Sequence, residues 1–175
     1  MKYAIAALMA LFALPLSVSG QALWQKTSYG MTLKQVQAAV PLGIVPKDPV
    51  RLTGNTVEGL RIEKYAVVGQ PFVVRFFFEG EKLVEVMLEA LKEDSLIQYR
   101  ATFDVLAEVL RAKYGAESSK KNLDNSLGSI HEMTWVDDKT DVTLLLTSAG
   151  ETGSGEVIVL NVSYSTNLSK EAEKL

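Results

Sequence analysis

Apolar and polar residues alternate along two stretches of the chain, and both stretches predict antiparallel strands. Short polar segments, most of them containing glycine, separate the apolar runs, which is typical of β-hairpins. Each stretch therefore predicts a three-stranded meander. The predicted strands are residues 60–68, 71–78, 82–91, 129–136, 140–148 and 156–166.

Apolar residues at helical spacing precede each meander. The first helix is short: Thr32 and Gln35 have the spacing of a capping box, and Pro41 ends the helix. The second helix is predicted at 95–114 and ends at Gly115. Its buried stripe is expected to consist of Tyr99, Phe103, Leu106 and Leu110.

The order helix, strand, strand, strand thus occurs twice, approximately over residues 24–91 and 95–166. It predicts an α+β fold, an antiparallel sheet built from two helix-plus-three-strand units with the helices packed on one face. The chain of 175 residues is long enough for one such domain, which we place at 23–175. Residues 41–59 are rich in proline and glycine and are predicted to be a connecting loop, with one short irregular strand inside it as the alternative. The polar residues 116–128 are also predicted to be a loop.

The first 22 residues have the pattern of a secretory signal peptide. Lys2 gives a positive start, an apolar run follows over 4–16, and small residues stand at Gly20 and Ala22. We expect cleavage after Ala22, with cleavage after Gly20 as the alternative. A membrane anchor or a buried helix is the less favoured interpretation, because the run is shorter than the roughly 20 apolar residues that span a bilayer.

Composition narrows the possible partners and compartments. Of the 18 basic residues only Lys2 lies in the signal segment, so 17 basic and 21 acidic residues remain, a net charge of −4. This charge disfavours nucleic acids and anionic membrane surfaces as partners. The chain has no cysteine, which excludes disulfides, thiol catalysis and a cysteine-linked lipid anchor. An exported domain without disulfides favours a bacterial periplasm.

Residues that carry chemistry are few. His131 is the only histidine, so a hydrolase would have no other imidazole base. The favoured interpretation of His131 is a partly buried strand residue whose ring nitrogens have hydrogen-bond partners. One histidine and no cysteine disfavour a zinc or copper site. The acidic turn at 137–141 is interpreted as a solvated hairpin turn rather than a calcium-binding loop. Glu85 and Glu89 are interpreted as residues on the outward face of a strand rather than as the two acids of a glycosidase. We expect no metal and no cofactor.

Three short motifs resemble a known family. The segment 29–36, Tyr-Gly-Met-Thr-Leu-Lys-Gln-Val, resembles the opening helix of SmpA/OmlA-type outer-membrane assembly proteins and of β-lactamase-inhibitor-like domains. The sequences at 113–115 and 133–136, Lys-Tyr-Gly and Met-Thr-Trp-Val, are similar in style. The resemblance implies tandem helix-plus-meander units and a periplasmic protein-binding module without catalysis. The chain departs from the SmpA type in lacking the lipid-anchor cysteine and in showing two units instead of one.

A mixed set of side chains suits a protein interface if it lies on the sheet face away from the helices. The alternative is that these residues belong to the core. The set consists of Arg75, Phe77, His131, Met133 and Trp135.

The function expected from the sequence is an exported, non-catalytic periplasmic protein-binding or scaffold module that binds another envelope or secreted protein. Inhibition of a secreted enzyme is a variant of this expectation. The alternatives are an envelope hydrolase of unusual chemistry that uses His131 with nearby acids, and a carrier of a small apolar ligand in a pocket between helices and sheet.

Overall fold

One seven-stranded antiparallel sheet with two helices makes up the part of the chain that the computed structural model describes, residues 22–91, 95–126, 128–137, 140–150 and 157–166. The strands lie in the order β1-β2-β3-β7-β6-β5-β4, so α2 leads the chain from the interior strand β3 to the far edge β4. In chain order the elements are α1 (Leu33–Ala39), β1 (Thr56–Val67), β2 (Gln70–Glu79), β3 (Lys82–Ala90), α2 (Leu96–Tyr114), β4 (Ser119–Asn125), β5 (Gly128–Asp137), β6 (Thr140–Ala149) and β7 (Val157–Thr166).

The prediction of two helix-plus-three-strand units is wrong. The described strands belong to one continuous sheet, and the fold is mainly β-sheet. The second half of the chain has four strands, because Ser119–Asn125 forms β4 inside the predicted loop 116–128. The first helix is a minor element of 7 residues. The segments 24–91 and 95–166 are therefore not equivalent units.

Both departures from the prediction have a physical cause. Every residue of β4 is exposed, so neither of its faces requires apolar side chains, and no alternation marks the strand in the sequence. At the start of β1, a register shift between Glu58 and Leu60 interrupts the alternation, which made this strand look shorter than it is.

The core lies between the helices and one face of the sheet. It includes Val36 of α1 and the stripe Tyr99, Phe103, Leu106 and Leu110 of α2, as the helical spacing predicted. Leu23 and Trp24 also belong to it, and the Trp24 ring contacts Tyr65 edge-on, with 5.3 Å between ring centroids. Among the described residues, the core thus begins at Leu23.

The helix ends follow the predicted capping signals. The Thr32 side chain and Gln35 form the capping box of α1, and Ser95 caps α2 by accepting from the Gln98 amide. Gly115 ends α2 with a φ of 83°, a left-handed conformation that favours glycine. Within the described ranges, neither helix combines the length and the apolar character that a bilayer crossing requires.

Candidate protein-binding surface

The five residues proposed for an interface do not share one face. His131, Met133 and Trp135 point towards α2 and are buried, and Trp135 Nε1 donates to the Gly115 carbonyl at 3.0 Å. Arg75 and Phe77 lie on the opposite face of the sheet. Phe77 has no exposed surface there, and the Arg75 side chain retains only 15% of its exposure. The set therefore offers no single exposed surface to a partner.

His131 is enclosed by polar partners from two elements. Its Nε2 lies 2.8 Å from Arg100 Nη2 of α2 and 3.1 Å from Asp124 Oδ1 of β4, and its Nδ1 lies 3.1 Å from Asn122 Oδ1. The Phe103 ring packs edge-on against the imidazole. The contacts are those of a histidine that ties the helix to the edge strand.

A buried carboxylate organises the other face of the sheet. The Glu58 side chain is completely buried, and it accepts hydrogen bonds from Arg61 Nε and Nη2 at 2.7 and 2.6 Å. Arg75 Nε lies 3.6 Å from Glu58 Oε1, and Arg75 Nη1 donates to Glu89 Oε2 at 2.8 Å. We call Glu58, Arg61, Arg75 and Glu89 the Glu58 cluster.

The Glu58 cluster is electrostatically balanced, as burial of a charge requires. Two cations flank the Glu58 carboxylate, and Glu89 pairs with the outer one. The hydrogen bond to Glu58 raises the pKa of the Arg61 guanidinium above its ordinary value, against the opposing effect of burial. Arg75 Nε is buried without a hydrogen-bond partner in the described part of the chain. The hydrogen-bonding capacity of the Arg75 guanidinium is therefore satisfied less fully than that of Arg61.

The same cluster fixes the segment before β1. The Val50 amide donates to Glu58 Oε2 at 2.9 Å, and Arg61 Nη2 donates to the Asp48 carbonyl at 3.2 Å. Backbone bonds add to these contacts: Ile44 and Arg61 exchange two, at 2.8 and 2.9 Å. The predicted loop 41–59 therefore has defined backbone partners along β1.

This segment exposes large apolar side chains. Leu42 is 72% exposed, Ile44 49% and Val45 58%. Between them, Gly43 passes so close to the core that an added Cβ would lie 2.5 Å from the buried Leu60 side chain. We call residues 42–50 the apolar loop. Apolar side chains clustered at the surface on a fixed backbone are a mark of protein interaction sites.

A cleft lies between the start of α1 and the start of β1. It has a volume of about 620 Å³, and its walls are mainly apolar, formed by Leu33 of α1, Val57 of β1 and Phe78 of β2. Gly59 is needed in this wall, because a Cβ there would lie 2.7 Å from the Phe78 ring. The volume is in the range of small-molecule pockets, but the cleft opens at the edge of the sheet instead of lying between α2 and the sheet.

Sequence reasoning missed the apolar loop and Glu58. The available signal was the run Leu42, Ile44 and Val45 inside a segment rich in proline and glycine, where turns are normally polar. Nothing in the sequence distinguished Glu58 from the other acidic residues, since its burial depends on Arg61 and on the loop that covers it.

Comparisons of this chain with protein-family models, with curated proteins and with solved structures gave no match. The resemblance to SmpA/OmlA-type and β-lactamase-inhibitor-like proteins therefore stays a prediction.

Proposed function

We propose that the protein is an exported, non-catalytic module of the bacterial periplasm that binds another envelope or secreted protein, and that the apolar loop is the binding surface. The observation that carries the proposal is the exposure of Leu42, Ile44 and Val45 on a backbone held by the Glu58 cluster. A surface that is already ordered loses less conformational entropy on binding than a flexible one.

The position of the core supports the proposed export. Leu23 and Trp24 are buried core residues, and they follow directly after the expected cleavage site. Removal of residues 1–22 would therefore leave the described core intact. The mature charge of −4 and the exposed apolar side chains favour a protein partner over a nucleic acid.

The test is an affinity capture with tagged mature protein, residues 23–175, from envelope extract. We expect a protein to be retained in stoichiometric amount by the native chain and lost with the double variant Leu42→Ser/Val45→Ser. The matched control is Ile97→Ser on α2, which removes an 80% exposed apolar side chain at a different place. Retention by the loop variant, or loss with Ile97→Ser alone, would show that the binding surface lies elsewhere.

A second candidate function, carriage of a small apolar ligand, rests on the cleft formed by Leu33, Val57 and Phe78. A fluorescent apolar probe should then bind to the mature protein with one site, and Val57→Glu should abolish binding. Binding that is unaffected by Val57→Glu would argue against this site.

A further inference from the structure

The strand β4 is an open edge of the sheet. It pairs with β5 along its whole length, from Ser119 opposite Thr134 to Asn125 opposite Gly128, and all its residues are exposed. No other described segment pairs with its outer side. The opposite edge strand, β1, is partly covered by the apolar loop through the Ile44–Arg61 bridge. An uncovered edge presents free N–H and C=O groups to which another strand can bind.

We propose that β4 pairs antiparallel with β4 of a second copy of this chain, so that the two sheets become continuous. Alternate residues of a strand direct their N–H and C=O groups to the same side, so two facing residues of an antiparallel pair belong to the same alternating set. In a symmetric pair of identical strands, the two-fold axis must therefore pass through a residue. An axis at Asn122, the middle of Ser119–Asn125, pairs every residue of the strand.

This register is complementary in charge. It places Lys120 opposite the partner's Asp124, and Asp124 opposite the partner's Lys120, which gives two cross-strand ion pairs. Lys121 faces an apolar residue, the partner's Leu123, whose side chain can pack on the lysine stem. No like charges face each other in this arrangement.

Neighbouring registers lack this complementarity. An axis at Lys121 would place this lysine directly opposite its own copy, which is unfavourable, and would leave Asp124 without a cation opposite it. An axis at Leu123 would pair neither Lys120 nor Asp124 with an opposite charge. The most extensive backbone pairing and the best charge pairing therefore coincide at Asn122.

Both charged groups are accessible for this contact. Lys120 is exposed and lines a shallow cleft with Asp104 and Glu108 of α2, and its charge also helps to lower the pKa of the Glu117 carboxyl group. The Asp124 side chain is 65% exposed, and only Oδ1 is close to His131. Its second oxygen can accept from a lysine of the second copy.

The contact area is small, because it comprises one strand edge of seven residues, and stable interfaces usually bury more. We therefore expect a reversible dimer that forms as the concentration rises through the micromolar range. The ion pairs should make the dimer weaker at high salt. The inference is independent of the apolar loop, so Leu42→Ser/Val45→Ser should dimerise like the native chain.

The experiment is sedimentation velocity of mature protein 23–175 over a micromolar-to-millimolar concentration series. Lys120→Asp and Asp124→Lys each replace two attractions by two repulsions, and each should raise the dimer dissociation constant about tenfold or more. The double variant Lys120→Asp/Asp124→Lys restores opposite charges and should restore the dimer. Lys64→Asp, on the other edge strand β1, is the matched control and should have no effect.

Rescue by the double variant would establish both the strand and the register, because a charge change that acted only on monomer folding would not be reversed. A chain that stays monomeric at every concentration would overturn the proposal. A dimer that is insensitive to Lys120→Asp, which leaves the contact between Asp124 and His131 in place, would overturn it equally.

Discussion

Glu58 and Arg61 form a doubly hydrogen-bonded ion pair although they stand three residues apart on one strand. In a regular strand, such residues point to opposite faces. The register shift between Glu58 and Leu60 inserts Gly59 as an extra residue, which returns Arg61 to the face of Glu58 while Leu60 still enters the core. One irregularity thus creates both the buried charge pair and the anchor of the apolar loop.

Removing the Glu58 carboxylate should destabilise the protein strongly. Glu58→Ala leaves Arg61 and Arg75 without their buried counter-ion and the Val50 amide without its acceptor, for which we expect a loss of about 2–4 kcal/mol in the free energy of unfolding. Urea denaturation of the mature protein measures the loss.

Glu63→Ala is the matched control for that measurement. Glu63 also approaches Arg61, at 3.7 Å, but its side chain is 59% exposed, so its removal should change the free energy of unfolding by less than about 0.5 kcal/mol. Equal effects of the two substitutions would contradict the anchoring role given to Glu58.

The sequence could predict those elements of the fold that have one buried face and one solvated face. The α2 stripe around Phe103 and Leu106 was predictable because one face of that helix is buried and the other is solvated. The strand β4 was not, because no buried face imposes a pattern on Ser119–Asn125. A missed edge strand also changed the predicted fold class, since the symmetry of two equal units depended on it.

The candidate site was less predictable than the fold. Trp135 and Met133 were weighed both as interface and as core residues, because strand alternation shows which residues share a face but not which face the helices cover. The apolar loop lies outside helices and strands, so periodicity gives no information on it. Its order depends on contacts between Asp48, Val50 and β1, which only the folded structure shows.

Glu85 should be a source of instability at neutral pH. Burial raises the pKa of its carboxyl group above the ordinary value, and no ion pair with a described residue offsets this effect. The ionised carboxylate is therefore less favourable in the folded chain than in the unfolded chain. Its destabilising effect is absent below the unfolded pKa and is complete above the folded one.

Glu85→Gln should accordingly raise the free energy of unfolding near neutral pH and leave it unchanged at about pH 3, where the carboxyl group is protonated in both states. Denaturation curves at the two pH values test this expectation. Glu89→Gln on the same strand should have the opposite effect at neutral pH, because Glu89 accepts from Arg75 at 2.8 Å. Destabilisation by Glu85→Gln at neutral pH would mean that this carboxylate has a favourable partner.

Arg111 should control the titration of Glu117 beyond the end of α2. Arg111 Nε and Nη2 donate to the two Glu117 oxygens at 2.9 and 3.0 Å. These bonds contribute most to lowering the pKa of the Glu117 carboxyl group to about 2, and a backbone hydrogen bond and the charge of Lys120 lower it further. With a lowered folded pKa, the pair stabilises the fold above the unfolded pKa of 4.5, and this contribution disappears as the pH falls towards 2.

Arg111→Gln should return the Glu117 pKa towards 4.5, as measured by NMR titration of the carboxyl carbons. Glu108→Gln is the control, because it removes the other acid that binds Arg111 and leaves the Glu117 bonds in place. A Glu117 pKa that is ordinary in the native chain, or that follows Glu108 instead of Arg111, would refute this assignment.

We predict that the signal peptide is cleaved after Ala22, so that Leu23 becomes the amino terminus. Leu23 and Trp24 are core residues, while Ala22 contributes a carbonyl that accepts from Thr140 Oγ1 at 2.8 Å. Cleavage after Ala22 removes that contact and the bridge between Ala22 and Ser28 but preserves the core residues, and cleavage after Gly20 preserves all of them. Amino-terminal sequencing of protein from a periplasmic fraction distinguishes Leu23 from Gln21.

Since signal peptidases require a small residue before the cut, Ala22→Arg should move cleavage to Gly20 or block it. Full-length protein confined to the cytoplasm would reject the proposed export altogether.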